Sequence, residues 1–210
     1  MLYEARSYAL HPGRLPEYLS LFGSEEGVLD ILRPHLCGFW CAESGRLNSV
    51  HHLWRYESRA ARAVARAAMA ANPLMGRFFG KVTPLLQVQR SRVMAGEVLE
   101  GDGARTGGIY DRVSFAFRSG ASADACERLV GTLRSALSCH FEGVAWLRGA
   151  MFELAGPARD GLFVLRCASL DERDRRWAEV ALALREFDSD GVLASLDCEL
   201  MLPSFFSPWR

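Results

Sequence analysis

The spacing of apolar and polar residues changes along the first half of the chain, and the changes mark strands and helices. Residues 2–10 are rich in β-forming side chains and end at the turn signal 11–13, which predicts a strand. Apolar residues then recur at helical spacing over 15–32, with an interruption near Gly23 or Gly27. The next segments are predicted, in order, as strands 37–43 and 47–57, a helix over 59–71, a short helix over 74–81 and a strand over 85–94.

The order of these elements is β-α-β-β-α-β, the split βαβ arrangement of ferredoxin-like folds. Residues 98–107 are rich in glycine and charge and predict a linker. After them the order of elements returns, ending with a helix over 170–185 and a strand over 192–202. The sequence therefore predicts an α+β protein of two domains, residues 1–97 and 108–210.

The second half repeats particular residues of the first. Leu2-Tyr3-Glu4 corresponds to Ile109-Tyr110-Asp111 at an offset of 107, and Ser169 stands before its helix as Ser58 does. A repeat of this length indicates duplication of a whole domain. A four-stranded sheet with helices on one face has to cover its other face, so the two copies are expected to pack sheet to sheet.

Charge and composition exclude several classes of protein. Lys+Arg and Asp+Glu are equal at 25 each, so no net field favours nucleic acid or an anionic membrane. No apolar run approaches about 18–20 residues, and Glu4 and Arg6 interrupt any secretory signal, which together predict a cytoplasmic protein without a membrane span. The six cysteines form no Cys-x-x-Cys pair, so no metal site is expected.

Two strands carry chemically active side chains on one face each. Glu4, Arg6 and Tyr8 alternate along the first strand, and a second polar and aromatic set follows on strand 47–57: His52, Trp54 and Tyr56. Both sets are expected to line a pocket between the two sheets, where Arg6 would hold a carboxylate or enolate and Glu4 or His52 would move a proton. A plain Glu4–Arg6 ion pair among packed aromatics is the alternative.

The second copy lacks this polar set. Val113 and Phe115 replace Arg6 and Tyr8, and Leu165 and Cys167 replace Trp54 and Tyr56. The loss from one copy favours a single asymmetric pocket, although drift after duplication would give the same pattern.

A group of motifs in the first half resembles the NIPSNAP family. These motifs are Tyr3-Glu4-x-Arg6-x-Tyr8, Pro12-Gly13, Gly38-x-Trp40, Glu43-x-Gly45-x-x-Asn48 and His52-x-Trp54-x-Tyr56-x-Ser58, with Phe206-Ser207-Pro208 near the end. The resemblance implies a dimeric α/β barrel, formed here within one chain by two ferredoxin-like units. Trp40 and Asn48 join Tyr8, Trp54 and Tyr56 as expected ligand contacts.

The favoured function is binding, and possible transformation, of a small anionic or aromatic metabolite by a cyclase, isomerase or monooxygenase-like protein. No motif requires a cofactor. A scaffold or adaptor using the helical stripe Arg59, Arg62 and Arg66 is an alternative, and so is a haem-dependent enzyme with His140 as the iron ligand. A homodimer of the fused chain is compatible with each.

Overall fold

The computed structural model describes residues 1–98, 107–149, 160–184 and 191–209. The expected linker 98–107 therefore lies, except for its two end residues, outside the described part of the chain. The chain divides into two compact units. Unit 1 comprises Met1–Val93 and the described residues from Leu202 onward, and unit 2 comprises the described residues between Met94 and Met201.

Unit 1 contains the predicted order of elements with its first helical segment split in two. The interruption falls at Gly27, whose φ of 84° is left-handed and favours glycine. The elements are β1 (Leu2–Leu10), α1 (Leu15–Ser24), α2 (Val28–Leu32), β2 (Leu36–Ala42), β3 (Ser49–Tyr56), α3 (Arg59–Ala71), α4 (Pro73–Val82) and β4 (Leu86–Val98). The last of these strands continues beyond Val93, and its residues Met94–Val98 belong to unit 2.

The register of the sheet in unit 1 brings the two polar sets side by side. Strand β3 lies between β1 and β2 and runs antiparallel to both. Glu4 pairs with Trp54, and Arg6 pairs with His52. Because directly paired residues point to the same side of a sheet, these side chains share one face.

Helices α3 and α4 begin at polar caps that the sequence supplies. The Ser58 hydroxyl accepts a hydrogen bond from the Ala61 amide at 3.1 Å, and the Asn72 side chain accepts one from the Leu74 amide at 2.9 Å. An aromatic cluster packs between the sheet and helices α1 and α4. Its members are Tyr18, Phe22, Phe39 and Phe78, joined by Phe206 from the C-terminal segment.

Unit 2 has the same order of strands, with one described helix in each place where unit 1 has two. Its elements are β5 (Ile109–Phe117), α5 (Ala123–Ser138), β6 (Glu142–Gly149), β7 (Asp160–Cys167), α6 (Leu170–Leu184) and β8 (Leu193–Pro203). The sheet runs β8-β5-β7-β6, all antiparallel, and Met94–Val98 of β4 pairs with β6. In the part of the chain that the structure describes, no helix is long and apolar enough to cross a membrane.

A close approach of tryptophan to backbone requires glycine at Gly38. A Cβ atom there would lie 2.1 Å from Cη2 of Trp40, a side chain that is 2% exposed. We expect Gly38→Ala to lower the free energy of unfolding by about 1–3 kcal/mol through overpacking. Gly76 of α4 has open space around its Cβ position, so Gly76→Ala is the control and should leave stability unchanged or raise it. Equal urea midpoints for the two variants would contradict this expectation.

Candidate functional site

A cavity of about 390 Å³ lies in unit 1, within the range of about 300–1,000 Å³ usual for small-molecule sites. It lies between the sheet and the helices of the same unit. All six residues of the two predicted polar sets line it, namely Glu4, Arg6, Tyr8, His52, Trp54 and Tyr56. Phe78 and Val82 of α4 line it from the opposite side. The expectation that this face would look toward a second sheet was therefore wrong, because the unit's own helices cover it.

Glu4 is the most heavily bonded group of the cavity. Its carboxylate accepts two hydrogen bonds from Arg62, Nε at 2.9 Å and Nη2 at 2.8 Å, and one from Arg6 Nε at 3.0 Å. Ser91 Oγ donates a further hydrogen bond at 2.5 Å, and Arg66 Nη1 lies 3.5 Å away. The Glu4 side chain is fully buried.

These contacts fix the ionisation state of Glu4. Burial alone would raise the pKa of the carboxyl, but the hydrogen bonds from Arg62 and Ser91, with the charge of Arg6, outweigh it and lower the pKa to about 2. A carboxylate engaged in this way takes up no proton near neutral pH. This argues against the acid or base role expected for Glu4.

Two residues of the helical arginine stripe, Arg62 and Arg66, also contact Glu4. Both reach from α3 toward Glu4 and line the cavity, while Arg66 still exposes 46% of its side chain. Arg59 lies outside the cavity lining. A helical period shows which residues share a face but not which face turns inward.

Arg6 is a charged side chain held among the aromatic residues that line the cavity. Its Nη1 donates to the Tyr8 hydroxyl at 3.1 Å, and its guanidinium carbon lies 5.6 Å from the centroid of the Trp54 ring. Burial would lower the pKa of Arg6, but Tyr8 and Glu4 raise it, so the side chain stays charged. With 17% of its side chain exposed, Arg6 can meet a ligand inside the cavity.

His52 is held as a neutral ring. Trp54 Nε1 donates to its Nδ1 at 2.6 Å, which places the proton of the neutral imidazole on Nε2. Burial, together with the nearby charge of Arg6, lowers the pKa of His52 well below its usual value. Nε2 is buried and has no hydrogen-bond partner among the described residues. His52 therefore offers an unused donor, whereas its basic nitrogen is already engaged.

Two predicted ligand contacts do not reach the cavity. Trp40 follows Phe39 on β2 and so points to the other face of the sheet. Asn48 lies in the turn before β3 with a φ of 55°, and its carbonyl accepts a hydrogen bond from the Leu10 amide at 2.8 Å. Its part is to shape the β2–β3 connection.

The haem candidate His140 lies elsewhere. Its Nδ1 is 3.0 Å from a carboxylate oxygen of Glu179 on α6, and it is not among the residues that line the cavity of unit 1. Within the described ranges, no group of three or more His, Cys, Asp or Glu side chains could hold a metal ion.

Several lining residues were not singled out from the sequence. Tyr18 and Phe22 enter from α1, and Gln89, Arg90 and Ser91 enter from β4. Tyr18 and Phe22 carry the period of an ordinary amphipathic helix, which does not distinguish a cavity wall from a packed core.

Unit 2 has a comparable buried carboxylate. Asp111 accepts hydrogen bonds from Arg173 Nε at 2.8 Å and from Trp177 Nε1 at 2.6 Å. The Cys198 thiol also donates to it, at 3.5 Å. Burial, with the charge of Asp111, raises the pKa of the Cys198 thiol to about 12, so this sulfur remains protonated.

The residues around Asp111 in unit 2 occupy the same positions in the repeat as those around Glu4 in unit 1. Arg62 is the fourth residue after Ser58, and Arg173 is the fourth after Ser169. The strand residues repeat at an offset of 107, as Glu4 with Asp111 and Ser91 with Cys198. We call these two sets, Glu4–Arg62–Ser91 and Asp111–Arg173–Cys198, the carboxylate anchors. Each ties the first strand of its unit to the helix that follows the third strand.

The units differ beside the anchor. In register with the Arg6–His52 pair of unit 1, unit 2 pairs Val113 with Phe163, and both are buried. Phe163 packs against Phe115 at 5.0 Å and Trp146 at 4.7 Å between ring centroids. Apolar rings therefore pack in unit 2 where unit 1 has polar cavity walls.

Comparison with known proteins finds a family that the first half of the chain matches. Residues 3–96 match the family model described as NIPSNAP. Protein NipSnap homolog 3A of Homo sapiens is 38% identical over 71 residues, which are 33% of this chain and 28% of that protein. Protein NipSnap homolog 3B of Mus musculus is 27% identical over 220 residues, covering 99% of this chain and 85% of that protein. The match to the human protein thus spans less than a third of its length.

The fold of the whole chain has solved counterparts. A candidate monooxygenase from Fusobacterium nucleatum has a TM-score of 0.64 and 7% identity, covering 97% of this chain and 92% of that chain. At this identity the likeness concerns the mixed α/β fold alone.

Proposed function

The chain belongs to the NIPSNAP family through residues 3–96, and from this premise we propose that its first unit binds a small organic anion in the cavity between its sheet and its helices. The observation that carries the proposal is the charge of the cavity wall. Among the residues that the structure describes, four arginines line it against one glutamate. Two of the arginines, Arg6 and Arg62, neutralise Glu4 at distances of 3.0 Å or less, so the wall keeps a positive excess for a ligand.

The rest of the wall suits an apolar or aromatic body. Phe22, Phe39, Trp54 and Phe78 present flat apolar surfaces, and Tyr8 adds a hydroxyl. Ligand sites commonly combine such a lining with a few fixed polar groups.

Binding is better supported than proton transfer. Glu4 is the one carboxylate that the described residues contribute to the lining, and it is fully engaged; the basic nitrogen of His52 accepts a hydrogen bond from Trp54. A reaction in this cavity, whether of cyclase, isomerase or monooxygenase type, would depend on Arg6 and His52 stabilising negative charge on a ligand oxygen.

The remaining expectations have weaker support. An adaptor function through the helical arginine stripe is less favoured, because Arg62 and Arg66 contact Glu4 beside the cavity. Haem ligation by His140 gains no support from its contact with Glu179, the ion pair that the described residues give it. The paired carboxylate anchors support the proposal that residues 1–97 and 108–210 are copies of one ferredoxin-like unit, the first keeping the ligand cavity.

The experiment is a thermal-shift screen of small carboxylic acids followed by calorimetric titration of the acids that bind. We expect Arg6→Val to weaken binding at least about tenfold, because a hydrogen bond to a charged group contributes about 1.5–3 kcal/mol. Valine should be tolerated, since Val113 occupies this position in unit 2.

The matched control is Arg77→Ala. Arg77 is exposed on α4 and does not line the cavity, so this variant loses the same charge and should bind like the original protein. Equal losses in both variants, or no acid that binds, would refute the proposal.

A further inference from the structure

We propose that the ligand carries two oxygen functions at opposite ends of a flat body: an acceptor oxygen at the buried end, held by His52 and Arg6, and a carboxylate at the mouth, held by Arg66 and Arg90. The inference rests on the proposed function and specifies the substrate class, namely aromatic or other unsaturated acids with a remote hydroxyl or carbonyl oxygen.

The buried end is defined by His52. This residue is 4% exposed and lines the cavity, and its Nε2 has no partner in the described residues. The hydrogen bond from Trp54 fixes the ring so that Nε2 carries the proton. A buried donor without an acceptor is costly, and a ligand oxygen in the cavity would satisfy it. Arg6, paired with His52 in the sheet, adds positive charge at the same place.

The body of the ligand is specified by the rings around His52. Phe39 stacks on the imidazole at 4.9 Å, and Tyr8 meets it edge-on at 4.7 Å between ring centroids. Tyr18 also lines this region, and burial raises the pKa of its hydroxyl, so it stays neutral. A flat, unsaturated body fits such surfaces better than a branched polar one.

The more exposed part of the cavity lining holds two further cations, Arg66 and Arg90. Arg66 lies 3.5 Å from Glu4 with 46% of its side chain exposed, farther away than Arg6 or Arg62. Arg90 is exposed, lines the cavity, and has no ion-pair partner among the described residues. A carboxylate at this end would meet both guanidinium groups while remaining partly hydrated.

Three matched probes test the proposal by calorimetric titration: 4-hydroxycinnamate, cinnamate and the methyl ester of 4-hydroxycinnamate. We expect the first to bind best, with cinnamate about tenfold weaker because it lacks the oxygen for His52, and the ester weaker because it lacks the carboxylate. Equal affinity for 4-hydroxycinnamate and cinnamate would overturn the proposal while leaving anion binding intact. No binding by any probe or other acid would instead refute the proposed function.

Variants assign each end of the ligand to its residues. His52→Phe, which places the phenylalanine of unit 2 in unit 1, should abolish the preference for the hydroxyl but keep that for acid over ester. The double variant Arg66→Ala with Arg90→Ala should abolish the preference for acid over ester but keep the preference for the hydroxyl. His52→Gln retains a side-chain donor and should restore part of the hydroxyl preference. If His52→Phe left that preference unchanged, or the arginine variant left the preference for acid over ester unchanged, the assignment would be wrong.

Discussion

Glu4→Gln is expected to lower the free energy of unfolding by about 3–5 kcal/mol, the usual cost of removing one partner from a buried ion pair. The neutral amide would leave Arg6 and Arg62 without the negative charge that they now contact at 3.0 and 2.8 Å. An amide also presents one acceptor oxygen, whereas the carboxylate uses both of its oxygens. Urea unfolding followed by tryptophan fluorescence gives the measurement.

Two further variants provide comparisons for the stability of Glu4→Gln. Asp111→Asn removes the equivalent charge from the anchor of unit 2 and should also be strongly destabilising, because Arg173 loses its buried partner and keeps the exposed Asp174. Glu17→Gln breaks the exposed pair with Arg14 and should cost less than about 1 kcal/mol. A Glu4→Gln protein as stable as Glu17→Gln would show that the anchor does not stabilise the fold.

Acid is expected to remove most of the stability that Glu4 gives to the folded protein. The folded-state pKa of about 2 lies below the usual value of 4.5, so the folded protein binds fewer protons at Glu4 than the unfolded chain. Stability from this group is therefore complete above about pH 5 and is lost as the pH falls toward 2. At about 1.4 kcal/mol for each unit of pKa, the loss amounts to about 3.5 kcal/mol.

The difference in free energy of unfolding between the original protein and Glu4→Gln isolates the contribution of Glu4, because the other carboxyl groups are the same in both proteins. Urea midpoints measured from pH 6 to pH 3 should show the difference shrinking steadily. The difference between the original protein and Glu17→Gln should change little, because that carboxylate is about half exposed in a surface pair. A difference for Glu4→Gln that stays constant over this range would contradict the assignment of the low pKa.

The two units suggest which features serve the fold and which serve a ligand. Both retain a carboxylate anchor between the first strand and a helix, which is expected of a structural tie. Unit 1 has Arg6 and His52 beside its anchor, whereas unit 2 has Val113 and Phe163. We interpret the anchor as a stabilising element and the polar cavity of unit 1 as the site under functional constraint.

The sequence determined the elements and the membership of each strand face. Alternation with period two placed Glu4, Arg6 and Tyr8 together, and the repeat identified Asp111 as the counterpart of Glu4. Both follow from local geometry, because side-chain direction along one strand depends only on the backbone. The order of strands and helices likewise follows from residue spacing and turn signals.

Only the tertiary structure decided what covers that face and which other side chains meet there. Alternation is the same whether helices or another sheet pack on a face, so the sequence did not distinguish the two. The contacts of Glu4 with Arg62 and Ser91 join residues 58 and 87 positions apart, which no local period relates. The unused donor of His52 depends on the hydrogen bond from Trp54 and on burial, and both arise only when the strands and helices are packed together.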